Sequence, residues 1–282
     1  MFFFSKSYNF GNCMINLDMF CICLNDDLIN KVKRLHYIPV GVGSEKFSEE
    51  WLLDSTGINI SPKNKFYGEY TFHFWFWKNM LDKIPDNRWV GFCAYRRFWS
   101  NNKNITSNNI YETALNEIPD EWNAYDAIIG NQVHINGIKW IKIIKYGKIA
   151  LLRNPLALLK SKQNIRFQFD MFHGNGVLDR AIELLPDKDK HDFKNYIFNN
   201  TSYNQGNMFI CKSKKIINEY YEIIFKWLND CEKIFGFNLD GYGKIRIYAF
   251  LAERFLPYWF NKYAKTLEWP IIFNDLKSEV NK

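Results

Sequence analysis

Short apolar runs of strand length recur along this chain, and helical patterns fall between several of them. Phe20–Leu24, Tyr37–Val42, Trp89–Tyr95, Ala124–Gly130 and Asn207–Cys211 have the length of buried strands rather than of helices. The first ends in Asn25, Asp26 and Asp27, a polar loop. Alternation of this kind predicts an α/β fold with a mostly parallel sheet flanked by helices. Phe66 to Leu81 is apolar on every side, which predicts a central buried helix. In the last third, Ile216, Ile217, Tyr220, Tyr221, Ile224, Leu228 and Cys231 repeat at helical spacing, with Gly236 at the cap position. A further helix is expected over Tyr242 to Tyr263, so the sheet should carry a helical C-terminal elaboration.

A chain of 282 residues, 47% hydrophobic and 24% charged, is no disordered, collagen-like or coiled-coil protein. With no internal repeat or low-complexity linker, one domain over 19–275 is expected. It lies between a loosely held N-terminal extension, 1–18, and a C-terminal tail, 276–282. The apolar start is too short for a signal peptide or a membrane span. Six cysteines without a C-x-x-C pair, four of them inside apolar runs, fit a reduced, cytoplasmic protein. Aromatics at 18% exceed what packing needs and point weakly to sugar or base stacking.

The net charge of +7 is local. From Gly137 to Arg166 there are eight basic residues (Lys139, Lys142, Lys145, Lys148, Arg153, Lys160, Lys162, Arg166) and no acidic one, which leaves 7 − 8 = −1 for the rest. Interleaved with Trp140, Ile141, Ile143, Ile144, Ile149, Leu151 and Leu152, this segment suits an anionic membrane or a lipid-linked phosphate. The same pattern also describes a solvated lysine face. No nucleic-acid reading motif accompanies it.

Ligands of α/β sheets bind beyond the carboxyl ends of the strands, which selects Asn25 and Asp26, Tyr95 to Arg97, and Asn131. Two adjacent arginines after a buried strand match phosphate, and strand geometry turns one of them to the site; pairing with acidic neighbours is the alternative. Glu253 shares a helix stripe with Arg246 and is a candidate general base, with structural pairing to Arg246 or Arg254 as the alternative. Asp170 and His173 stand beside Gly174 and Gly176 in a candidate acceptor loop. Glu69, His73 and Trp77 share a face that reads as core rather than metal site, and Asp187-Lys188-Asp189 reads as a solvated turn. The chain carries no G-x-S-x-G, P-loop or G-x-G-x-x-G.

Six blocks in order, Tyr37 to Gly43, Asp54 to Asn64, Tyr67 to Asn79, Val90 to Arg97, Gly206 to Ile210 and Phe250 to Arg254, resemble a bacterial glycosyltransferase family. That family has long been carried as a domain of unknown function in capsule and exopolysaccharide clusters, and is of galactofuranosyltransferase type. The resemblance covers roughly Phe20 to Phe273, with Ala94 standing where the family usually has a His. It implies a GT-A-like fold and inverting transfer of a sugar from a nucleoside-diphosphate donor, UDP-galactofuranose first among UDP-sugars, to a lipid-linked glycan. Asp54, Thr56, Asn59, Lys63, Tyr95, Arg96 and Arg97 would then bind the donor. Asn207, with Asp170 and His173, would bind the acceptor, and Glu253 would be the base; the matching blocks also contain Glu69, Lys78 and Arg254. Where such folds commonly hold Mn or Mg through Asp-x-Asp, this chain has Tyr95-Arg96-Arg97, so a divalent metal is not expected to be essential. The implied location is peripheral, at the inner face of the cytoplasmic membrane. The alternative is a non-catalytic carbohydrate-binding or assembly protein of the same pathway.

Overall fold

The computed structural model describes residues 16–105, 107–135, 143 and 147–278. Strand β1 (Leu17–Cys23), buried at all seven positions, lies at the centre of the sheet. It pairs in parallel with β2 (Ile38–Gly41) on one side and β4 (Trp89–Ala94) on the other, and β2 pairs in parallel with β3 (Leu52–Leu53). Beyond β4 come β9 (Phe209–Cys211), β6 (Ala127–Gly130) and β10 (Thr266–Trp269), giving the order β10-β6-β9-β4-β1-β2-β3. Within this path β9 alone runs against its neighbours, so the sheet is mostly parallel. Two antiparallel additions, β5 (Arg97–Trp99) and β11 (Ile271–Phe273), extend it, and β7 (Gln132–His134) pairs separately with β8 (Ser202–Asn204).

Side chains alternate across a strand, so β1 feeds two cores. Phe20 and Ile22, with Val90 and Phe92 of β4, enter the larger one. It is covered by helices α1 (Tyr70–Asn79), α6 (Lys214–Phe235) and α7 (Ile247–Tyr263). Leu17, Met19, Cys21 and Cys23 enter the smaller core with Trp99, Trp122 and Trp269. The aromatic surplus is largely spent here: Phe20 packs on Phe72, Phe76 and Phe92 at ring distances of 5.2 to 5.8 Å. The five described cysteines are buried free thiols.

Several expected boundaries shift. The helix foreseen over Phe66 to Leu81 is divided at Gly68, whose φ of +54° belongs to glycine, and α1 starts at Tyr70. The helix foreseen over Tyr242 to Tyr263 is interrupted at Arg246. Leu17 and Asp18 belong to buried β1 rather than to a loose extension, because Arg88 donates to both oxygens of Asp18. Leu276 is likewise no tail residue: it is buried, and its N–H donates to the Tyr95 carbonyl at 3.2 Å. The expected α6 is present, capped by Ser213 at one end and by Gly236 at the other. Residues 1–15, and 137–142 and 144–146 of the basic segment, lie outside the described residues.

Candidate active site

The carboxyl ends of β1, β2, β3, β4 and β6 share one edge of the sheet. Because β9 is reversed, its amino end, Gly206 and Asn207, arrives at the same edge between β4 and β6. Three separate stretches therefore converge: the turn after β4 with Tyr95, Arg96 and Arg97, the turn after β6 with Asn131, and the approach to β9.

The turn from β4 into β5 pairs Ala94 with Arg97 and sends the two arginines apart. Arg96 turns outward, half exposed, and its Nε donates to Asp275 Oδ2 at 2.8 Å. Arg97 lines a cleft of about 620 Å³ together with Lys103, Asn104, Asn131, Gln132 and Gln205. Among the described residues its guanidinium forms no hydrogen bond and no ion pair; one of its nitrogens lies 3.8 Å from where a Cβ on Gly206 would stand. A cation framed by amide side chains, without a carboxylate of its own, is a ready site for a phosphate.

Glu253 is buried next to this cleft but is fully engaged. The Gly206 N–H donates to its Oε1 at 2.8 Å, and the Arg254 guanidinium donates to its Oε2. Burial pushes this carboxyl up, yet the Arg254 charge and hydrogen bond, the Gly206 N–H and the Arg97 charge outweigh it and hold it below the usual range. A carboxylate so held is a poor proton acceptor. Glu253, expected as general base, thus has both carboxylate oxygens engaged, one of them by the Gly206 N–H. Arg254 in turn lies 4.1 Å from the Tyr203 ring centroid and donates to Gln168 Oε1 at 2.8 Å.

On the other side of Gly206, Asn207 donates to Glu69 Oε1 at 2.9 Å and to the Ala249 carbonyl at 3.1 Å, while its own Oδ1 is buried without a partner. Glu69 Oε2 meets Arg246 at 3.3 Å, and its side chain keeps 30% exposure. Arg246 packs against Gly68, where a Cβ would collide with its guanidinium, so the glycine that divides the helix also makes room for this pair. Glu69 was expected only as a helix residue carried over from one of the six blocks, and Arg246 only as a neighbour of Glu253 on its stripe; neither had an expected role in the site. Their 177-residue separation leaves no local signal for the pairing.

The expected donor loop is only partly free. Asp54, just after β3, is buried with Oδ2 unpartnered, and burial pushes its carboxyl up to about 6 against the weaker pull of the Thr71 hydroxyl. Thr56 Oγ1 donates to the Leu53 carbonyl and accepts from Trp75 Nε1. Asn59 ties the loop to Ser55, Gly57 and Ser61. Lys63 is committed to both oxygens of Glu232 at 2.7 and 2.8 Å. These three hold the loop in shape and leave Asp54 as its spare acceptor.

Asp170 and His173 lie on helix α3 (Ile165–His173), not in a loop. Asp170 accepts from Arg153 Nε and from the Gly176 N–H, so both of its oxygens are engaged within the protein. His173 stacks on Phe250 at 3.9 Å and bonds the Gly243 carbonyl, and burial, then the Arg254 charge, bring its pKa down to about 4. His73 bonds Tyr221 Oη at 2.8 Å and the Asn207 carbonyl at 3.3 Å, and burial lowers it to about 3, so it is neutral and part of the core. Among the described residues no three His, Cys, Asp or Glu side chains gather to hold a metal. The site's prominent free charge is a guanidinium, which repels a divalent cation, so the residues present do not fit one.

The central sheet is a seven-strand path with one reversed strand, and its carboxyl edge carries an arginine and amides. The apo structure of the bifunctional glycosyltransferase WbbM has a similar fold. It matches with a TM-score of 0.61 and 19% identity over 91% of this chain, and this chain spans 45% of that one. The profile of the family described as Domain of unknown function (DUF4422) matches residues 26–265, and the chain belongs to that family. No curated protein matches the sequence.

Proposed function

We propose that this chain is a glycosyltransferase that moves a sugar from a nucleoside-diphosphate donor to a hydroxyl of a lipid-linked glycan in bacterial surface polysaccharide synthesis. The observation that carries the reading is Arg97, a cation without a hydrogen bond or ion pair among the described residues, in a cleft with amide side chains at the carboxyl edge of the sheet. Arg97 neutralises the departing diphosphate, a task that in other enzymes falls to a metal. Asp54 offers its spare oxygen to the nucleoside. Asn207, with its unpartnered Oδ1, orients the acceptor.

Transfer is an inverting single displacement. The acceptor oxygen attacks the anomeric carbon, the bond to the diphosphate breaks, and the hydroxyl proton passes to a carboxylate. Glu69 takes that proton, since it is the partly exposed carboxylate bonded to Asn207 and carries the longer 3.3 Å contact to Arg246. UDP-galactofuranose is the first donor to test, and the inner face of the cytoplasmic membrane is the place of action.

Thermal shift and titration calorimetry against UDP, GDP, CDP and dTDP, each with Mn²⁺ or EDTA, test the proposal. Selective stabilisation by UDP that survives EDTA is the expected result. Binding of none of the four would overturn it in favour of a carbohydrate-binding protein without transfer.

A further inference from the structure

The segment 148–162 is folded inside out. Helix α2 (Lys148–Arg153) and the two short 3-10 turns after it, Pro155–Leu158 and Lys160–Lys162, place Ala150 and Ala157 against the core at 1% exposure. The large aliphatic side chains point the other way: Leu152 is 82% exposed, Leu156 67%, Ile149 58% and Leu159 58%. A globular protein ordinarily buries leucine before alanine, and exposed aliphatic residues grouped in one segment mark a surface that meets an apolar partner.

The charges around this face have been sorted as well. Arg153 and Arg166, two of the eight basic residues in the segment, turn inward and are neutralised by Asp170 and Asp179. Lys148, Lys160 and Lys162 are exposed and form no ion pair with the described residues. No acidic residue occurs from Asn131 to Phe169. Along this segment the outward side chains are thus apolar or positive, with no acidic residue among them.

We infer that Ile149, Leu152, Leu156 and Leu159 insert among the acyl chains of an anionic bilayer while Lys148, Lys160 and Lys162 meet its headgroups. Charge selects this occupant. A second copy of the same face would set lysines against lysines, whereas anionic lipid complements both parts of the surface. Among the described residues no helix is long and apolar enough to cross a membrane, so the contact is a surface one. It deepens the membrane-side part of the proposed function but stands on the exposed face alone.

Co-sedimentation of the full chain with phosphatidylcholine vesicles, with and without phosphatidylglycerol, tests the inference. Binding is expected to the anionic vesicles, to weaken with salt, and to fall at least about tenfold in Leu152→Glu/Leu156→Glu and in Lys148→Glu/Lys160→Glu/Lys162→Glu. These positions are exposed, so melting temperature and UDP binding should stay at wild-type values in both variants. Equal binding to neutral and anionic vesicles, unchanged binding in the variants, or none at all would overturn the inference. So would a concentration-dependent dimer that Leu152→Glu dissolves, which assigns the face to a second copy. If UDP binding fails while vesicle binding behaves as expected, the transferase reading falls and this surface stands.

Discussion

Replacing Arg254 with methionine isolates the electrostatic support of the site. The side chain is 1% exposed and Glu253 beside it is nearly as buried, so the variant keeps the volume and strands a carboxylate that retains only the Gly206 N–H and the Arg97 charge. Breaking a buried pair from one side costs about 3–5 kcal/mol. With a urea slope near the upper end for small proteins, about 3 kcal/mol per molar, the unfolding midpoint should fall by roughly 1–1.7 M. The double variant Arg254→Met/Glu253→Leu removes both charges and leaves the Gly206 N–H unpaired, so its loss should be smaller, about 1–3 kcal/mol.

The pH dependence gives an independent sign. In the wild type the folded Glu253 carboxyl lies below its unfolded value of 4.5, so its contribution is present above that pH and lost as pH falls through the folded value. Without Arg254, burial dominates and the folded carboxyl rises above 4.5. Stability is then gained as pH falls, and the deficit against wild type narrows toward pH 4. Urea titrations of the three proteins at pH 7 and pH 4 measure both effects. A single variant no less stable than the double, or a deficit that widens in acid, would refute the reasoning.

Arg97→Ala should leave urea stability within about 0.5 kcal/mol of wild type, as for a side chain without protein hydrogen bonds, and lower turnover of UDP-sugar by 10²- to 10³-fold or about 3–4 kcal/mol. Arg96→Ala, whose partner is Asp275 at the surface, should lose less than about tenfold in the same assay. Glu69→Gln should cut kcat by about 10²- to 10⁴-fold with KM little changed, whereas Glu253→Gln should act mainly on stability; equal kcat losses in steady-state kinetics would undo the assignment of the base. His73 and His173 stay neutral in the fold down to about 3 and 4 while the unfolded imidazoles protonate near 6.5. Each therefore destabilises by up to about 1.4 kcal/mol per pH unit below 6.5, against one opposing contribution from Asp54 between about 6 and 3.8. Denaturation curves between pH 7 and pH 4 should show this decline, and His173→Gln should flatten it.

Strand existence was legible because β4, β9 and the Phe20–Cys23 part of β1 are continuous apolar runs, whereas Asp18 hid the start of β1, and periodicity marked α6 to within two residues of its start. Strand direction was not legible: nothing in Phe209–Cys211 says that it runs against β4 and β6, since three apolar residues look alike in either sense. Helix breaks at Gly68 and Arg246 were hidden by apolar neighbours on both sides, and only the contact between these two positions explains both. Within the site, strand alternation led to the expectation that only one of Arg96 and Arg97 faces the cleft, and the two do diverge, but at the turn between β4 and β5 rather than along a strand. The fates of Glu253, Asp170 and Lys63 were not legible, because their partners Arg254, Arg153 and Glu232 are decided by packing. A carboxylate or an ammonium in a motif has the same letter whether its charge is spent inside the protein or kept for a ligand.

The reversed strand also sets the order in which the molecule can be built. In the central sheet β6 pairs only with β9 and β10, so it is synthesised well before either partner. At about 5–20 residues per second, the 81 residues from Gly130 to Cys211 take roughly 4–16 s to emerge. Strands β1 to β4 can zip together in that interval, while β6 waits with both edges bare. The turn bearing Arg97 is fastened later still, by β11 and Leu276, which follow β10 in the sequence. The ribosome thus makes the arginines early, and the polypeptide locks them in place only once β11 has emerged.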